Sequence, residues 1–274
     1  MDDCSCYGCF CKIFKFIYGC SSNYMGQIFL YCGFYFIFNV NFLQTHIGMD
    51  KKPTLQLIRG LIFVFSTYLF FYAISEISLP KALTLAFVAP ICVTALSPFF
   101  LNEKVGVKRW TAVSLGFIGT LIVIRPGFIE LNLATMAALG NGVCYGFYLI
   151  ITRKLSTSDN PLLTLLLSGL IGTVIISLFV PSVWVNPTSN QWIFMALIGL
   201  IASVAHLFII LSLKYADASK LAPLGYTEII TNILISYYFF HELPDNWTYL
   251  GLFIIVLSGL YISRREYYLN NILS

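Results

Sequence analysis

The sequence predicts an all-α polytopic membrane protein, and three observations predict it. First, 58% of the 274 residues are hydrophobic and only 10% are charged, whereas soluble domains run about 45–50% apolar and about 25% charged. So few charges cannot coat a water-facing surface, which excludes an ordinary soluble enzyme, a nucleic-acid module and a disordered chain. Second, the charges fall in short clusters between long uncharged stretches. Third, the C-terminal half repeats a pattern of the N-terminal half. A span needs about 20 apolar residues and roughly 30 with its link, so 274 residues hold about nine transmembrane helices.

Phe16 to Met49 carries no charge apart from His46, and its most apolar part, 26–43, is the first expected span. The others read as 57–75, 82–101, 108–124, 131–151, 162–180, 191–213, 221–240 and 246–263. From Asn160 to Leu213 the only ionisable group is His206; Pro181, Pro187 and the polar run Asn186 to Gln191 divide that stretch into two helices. No link is long enough for a separate soluble domain. A cleavable signal peptide is not expected, because Met1-Asp2-Asp3 is acidic where a basic region belongs.

Orientation follows from the basic residues in alternate links. One set holds Lys51, Lys52, Arg59, Lys104, Lys108, Arg109, Arg153, Lys154, Lys214, Lys220, Arg264 and Arg265, twelve in all. The other holds Lys12, Lys15, Lys81 and Arg125, the remaining four of sixteen. The bias places the C-terminus in the cytoplasm and, with nine spans, the N-terminus outside.

The repeat runs from Ser78 and Lys81 through Asn102-Glu103 to Trp110-Thr111 and Gly119, and again from Asp217 and Lys220 through His241-Glu242 to Trp247-Thr248 and Gly259. Lys81 and Lys220 are 139 apart, as are Glu103 and Glu242; the Trp-Thr pairs are 137 apart and the glycines 140. Lys81 falls on the outer side and Lys220 on the inner, so the repeats are inverted. Inverted repeats recur in secondary transporters, with the substrate near the midplane between them. Gene duplication in a non-transporting membrane protein is the alternative.

The two copies, residues 73–124 and 212–262, resemble the EamA-type domain of the drug/metabolite transporter superfamily, and the resemblance covers roughly 50–265. Leu57-Ile-Arg59-Gly60 and the stretch Ala222-Pro223 to Tyr226 and Glu228 are similar to its S-adenosylmethionine-uptake branch. The resemblance implies ten helices in two five-helix inverted repeats, alternating access, and both termini cytoplasmic. Nine helices are read here, and the deficit lies at the N-terminus. Residues 1–25 then form a Cys-rich tail or a degenerate first helix, 26–130 the first, incomplete repeat, and 131–274 the second.

Ionisable groups inside spans carry the functional information, because a charge at the bilayer centre costs about 2.5–3.5 kcal/mol even on insertion scales. Glu228 is the only acid well inside an expected helix, about 10 Å deep at 1.5 Å per residue. His206 lies at similar depth on the preceding helix, as a substrate contact or a static partner of Glu228. Asn141, Tyr145 and Tyr148 share one helix face at i, i+4 and i+7, and Tyr68 and Tyr72 share another. Aromatic stripes also serve as packing or interface belts. Tyr226 stands about 200° from Glu228 on an ideal helix, so a common cavity requires a distortion, for which Pro223 and Gly225 are candidates. Asn232, at i+4, shares the face of Glu228 without one. Glu103 and Glu242 read as interfacial and structural, and Arg59 as a side chain that snorkels from the membrane edge.

Cys4, Cys6, Cys9 and Cys11 have a spacing that thiolates can use for a soft metal, yet without adjacent histidine they read as a loosely constrained tail. No metal, cofactor or enzyme motif is expected. The expected substrate-binding residues are Glu228, His206, Asn141, Tyr145, Tyr72, Tyr226 and Asn232. The expected function is secondary transport of a small cationic or aromatic metabolite across the inner membrane, S-adenosylmethionine among the candidates, because tyrosines around a carboxylate suit a cation. The rivals are a non-transporting paralogue that keeps the fold, and an exporter of amino acids, riboflavin or drugs. Expected partners are that small molecule and the lipid bilayer, with nucleic acid excluded and a homodimer left open.

Overall fold

The computed structural model describes residues 52–77, 79–124, 132–178, 188–231 and 246–273. Every element among them is helical: α1 (Pro53–Glu76), α2 (Leu79–Ala86), α3 (Ala89–Leu101), α4 (Val107–Ile124), α5 (Leu133–Ser156), α6 (Pro161–Ser177), α7 (Ser189–Tyr215), α8 (Ala218–Leu221), a 3-10 turn at Ala222–Thr227, and α9 (Asn246–Leu273). At 24 residues each, α1 and α5 extend about 36 Å and can cross the roughly 30 Å hydrocarbon core unaided. The cysteine cluster, the expected span at 26–43, Lys12, Lys15, Arg125, Asn232, His241 and Glu242 lie outside the described residues. Nine therefore stands as the expected number of spans.

Two expected spans are not continuous α-helices. The one over 82–101 breaks at Phe87–Val88, between α2 and α3. Pro90 opens α3 without an N–H, so the carbonyl of Ala86 four residues back loses its helical donor. The span from 221 begins instead with α8 and the 3-10 turn, which contains Pro223 and Gly225. Helical residues 228–231 follow. Phe87 and Tyr226 are 139 apart, so both irregularities occupy the same place in the two repeats. They are made by different prolines, since Pro90 and Pro223 are not repeat mates. Interrupted helices at corresponding positions of inverted repeats are where transporters build their binding sites.

The chain divides into two compact units that do not coincide with the sequence repeats. Each draws on both halves of the chain. The first takes residues 1–71 and 151–215, and the second 72–150 and 216–274.

In the first unit, α1 meets α6 at Gly60, where a Cβ would stand 2.5 Å from Cδ1 of Ile171. Arg153 donates to the carbonyls of Leu213 (2.6 Å) and Lys214 (3.1 Å), and Ser156 Oγ donates to Leu213 at 3.0 Å. These donors satisfy end-of-helix carbonyls on α7 that have no partner within the helix.

In the second unit, α4 and α9 pack along a seam of small residues, which lets membrane helices approach closely. Ser258 Oγ donates to the carbonyl of Ala112 at 2.7 Å. A Cβ on Gly119 would stand 3.0 Å from the carbonyl oxygen of Gly251. Ala112 with Gly251, and Gly119 with Ser258, are each 139 apart. The contact thus repeats itself with the two halves exchanged, the reciprocity a two-fold operator produces. Phe87 and Tyr226, repeat mates, touch each other with ring centroids 5.9 Å apart.

Hydrogen bonds join the link at 102–106 to Ala218 and Ser219, and the end of α5 to the end of α7. Within each unit, the two joined segments carry residues of the same, twelve-member basic set.

Candidate functional site

In the second unit the 3-10 turn separates two expected site residues. Tyr226 is fully buried against Phe87, Val113, Ile229 and Ile255, and its ring lies over Gly116. Glu228, two residues on, is exposed. A 3-10 helix advances about 120° per residue, so the distortion does not bring the two side chains onto one face. Tyr226 is a core residue that holds the segment, and its hydroxyl reaches the carbonyl of Phe87 only at 3.4 Å. Tyr226→Phe is therefore expected to change stability by less than about 1 kcal/mol, whereas Tyr226→Ala costs about 3–5 kcal/mol. Melting of the purified variants checks the contrast.

On α5, Tyr145 and Tyr148 stack with centroids 5.5 Å apart and planes 18° from parallel. Tyr148 and Asn141 are buried and Tyr145 is half-buried. One position round the helix, Gly142 and Gly146 face the break between α2 and α3. A Cβ on Gly142 would stand 2.6 Å from the Ala86 carbonyl oxygen, and one on Gly146 2.9 Å from Cβ of Cys92. The glycine pair thus sets the polar and aromatic ridge of α5 beside the interrupted helix. Tyr72, exposed at the end of α1, shares a face with Leu57, Leu61, Phe65 and Tyr68.

The first unit contains a buried polar cluster that sequence reasoning missed. Arg59 does not snorkel: it is 0% exposed. Its Nε donates to Thr152 Oγ1 at 2.7 Å and its Nη1 to the Thr164 carbonyl at 2.9 Å and to Ser168 Oγ. One turn earlier, Gln56 Nε2 donates to Asp159 Oδ2 at 2.9 Å and to Thr164 Oγ1 at 3.1 Å. Buried polar groups need such partners because water is absent to serve them. The signal lay in the pairs Gln56/Arg59, Thr152/Ser156 and Thr164/Ser168, each spaced to share a helix face. His206, half-buried in the same unit, meets Phe63 edge-on at 4.9 Å.

Glu103 also does more than end a helix at the water boundary. Asn102 adopts φ 56° and terminates α3, a conformation asparagine tolerates well. The Glu103 carboxylate accepts from the backbone N–H of Ala218 (2.9 Å) and Ser219 (3.0 Å) and from Ser219 Oγ (2.6 Å). Arg109 donates to Ser219 Oγ at 2.9 Å and to the Lys104 carbonyl at 3.0 Å.

Interrupted helices, repeated sequence halves and a carboxylate within an apolar segment are features of a helical membrane fold. The EamA-like transporter family model matches residues 17–125 and 132–264, and the chain belongs to that family of multi-pass membrane proteins. It is 27% identical over 217 residues, 79% of this chain and 74% of the relative, to an S-adenosylmethionine uptake transporter of Rickettsia conorii. It is 28% identical over 213 residues to a riboflavin transporter of Vibrio cholerae, covering 77% of this chain and 72% of that one. A solved crystal structure shares the fold with a TM-score of 0.71 at 18% identity, over 87% of both chains.

Proposed function

We propose that the chain is a secondary transporter that moves a small cationic metabolite with a flat aromatic group across the inner membrane by alternating access. S-adenosylmethionine is the leading candidate. The observation that carries this reading is Glu228, a carboxylate exposed on an interrupted helix of the second repeat. In that role Glu228 pairs with the substrate's positive charge, while the tyrosine ridge of α5, with Asn141 and Tyr145, offers an aromatic face and an amide. Tyr72 adds an exposed aromatic ring. Tyr226 contributes by holding the segment that carries Glu228. His206 and Asn232 are carried as substrate contacts on their position inside apolar segments alone.

The relatives named for S-adenosylmethionine and for riboflavin support a substrate with a fused heterocycle. Glu228 favours the cation of the two, since a neutral flavin gains nothing from an anionic side chain. Glu228→Gln is expected to lower S-adenosylmethionine uptake by about tenfold or more, the scale of a lost buried charge pair, at unchanged membrane abundance. Initial-rate uptake at matched protein level reads this out. Unchanged uptake removes Glu228 from the site.

A further inference from the structure

We propose that Glu103 is a positioning residue for the proposed substrate site: its clamp on Ala218 and Ser219 sets the rotation at which Glu228 is presented. This rests on Glu228 as the substrate's carboxylate partner. The segment from Ala218 to Glu228 is pinned at two points. At one end, both carboxylate oxygens of Glu103 are engaged, Oε1 by the Ala218 N–H and Oε2 by the N–H and hydroxyl of Ser219. At the other, the Tyr226 ring is enclosed by Phe87, Val113 and Ile255 over Gly116. Between them the chain changes from α to 3-10 geometry, so its rotation about its own axis is not dictated by one continuous ladder. A slip of one residue turns a side chain by about 100°, which carries Glu228 away from its present exposure. Charge-assisted bonds from one carboxylate to two successive N–H groups oppose such a slip more strongly than neutral ones.

The clamp is itself held. Arg109, 9% exposed, donates to the same Ser219 hydroxyl at 2.9 Å and stands 3.9 Å from Asp217, whose carboxylate is 2.9 Å from Lys220. The residues that supply these donors are not repeated in the sequence of the other half. The repeat mate of Ser219 is Pro80, and that of Arg109, which precedes the Trp-Thr pair, is Asn246. Proline offers neither an N–H nor a hydroxyl, so the start of α2 cannot present the donors that Ser219 presents to Glu103. A device serving only to build the fold would be expected in both repeats.

The test places a cysteine at position 228 (Glu228→Cys) in a full chain whose native cysteines are replaced. Its labelling rate by a membrane-impermeant cationic thiol reagent is measured with and without Glu103→Gln or Ser219→Ala. In parallel, the apparent Km and Vmax for S-adenosylmethionine are measured for the same two substitutions on the chain with Glu228 intact. Glu103→Gln is expected to change the labelling rate by about threefold or more and to raise the apparent Km about tenfold, the effect of losing one hydrogen bond to a charged group, with Vmax within about twofold. Ser219→Ala is expected to shift both readouts in the same direction, by less. A labelling rate unchanged in both variants, with only the melting temperature lowered, overturns the positioning role. A changed labelling rate with unchanged Km overturns the reading of Glu228 instead, and with it the link from the clamp to substrate.

Discussion

Arg59→Ala is expected to remove most of the folded protein from the membrane. The guanidinium is fully buried in the first unit and ties three helices together: α1, which carries it, α5 through Thr152, and α6 through Thr164 and Ser168. Truncation strands the acceptors that the fork engaged, at about 1–3 kcal/mol per buried group, and leaves a void where the stem packed. Even the low end of that sum is a large share of a total stability of about 5–15 kcal/mol. Arg59→Met keeps much of the volume and no donor, so its loss isolates the hydrogen-bond contribution. Arg59→Lys is expected to fall between them, because a point charge cannot reproduce the planar fork. Membrane abundance and the melting temperature in detergent report the series. Wild-type values for Arg59→Ala would contradict the cluster's role.

Gly116→Ala is expected to impair the second unit. A Cβ at 116 would overlap Cδ2 of the Tyr226 ring, which no packed core accepts. The ring has no open side to move into, since Phe87, Val113, Ile229 and Ile255 enclose it. The strain must then pass into the segment that holds Glu228. Overpacking of this kind costs about 1–3 kcal/mol, and uptake is expected to fall further than stability alone would require. Tyr226→Leu removes the clashing edge, so the double variant should recover part of both losses, with a coupling of about 1–2 kcal/mol between contacting sites. Additive losses would mean that the two side chains do not press on each other.

Much of the fold was legible because its causes are local or periodic. The scarcity of charge, the uncharged stretches and the alternation of basic links predict a helical membrane chain. The 139-residue offset of Lys81 and Lys220 reappears in space as the exchange of Ala112 and Gly119 with Gly251 and Ser258 across the α4–α9 seam. Pro223 and Gly225, the candidates for a distortion, do lie in a 3-10 turn, but it leaves Tyr226 and Glu228 on different faces.

The unread features depend on partners far away in the chain. Hydropathy treats Arg59 as a lone cation near an edge, because Thr152, Thr164 and Ser168 lie 93, 105 and 109 residues on. Glu103 ends its helix in any local reading, and only the contact 115 residues away shows what its carboxylate holds. The break at Phe87–Val88 hides inside an apolar run, where Pro90 sits just past it and its repeat mate is Ile229. Of the expected site residues, Tyr145 meets Tyr148 in a stack, which helical spacing foresaw, while the core position of Tyr226 needed the ring's neighbours.

The most direct test of the account is uptake of radiolabelled S-adenosylmethionine by the purified full chain in proteoliposomes. Saturable uptake above protein-free vesicles is predicted, displaced by unlabelled S-adenosylmethionine more effectively than by riboflavin and lowered about tenfold or more by Glu228→Gln. Uptake equal to that of protein-free vesicles, or uptake that riboflavin displaces better and Glu228→Gln leaves unchanged, would contradict it.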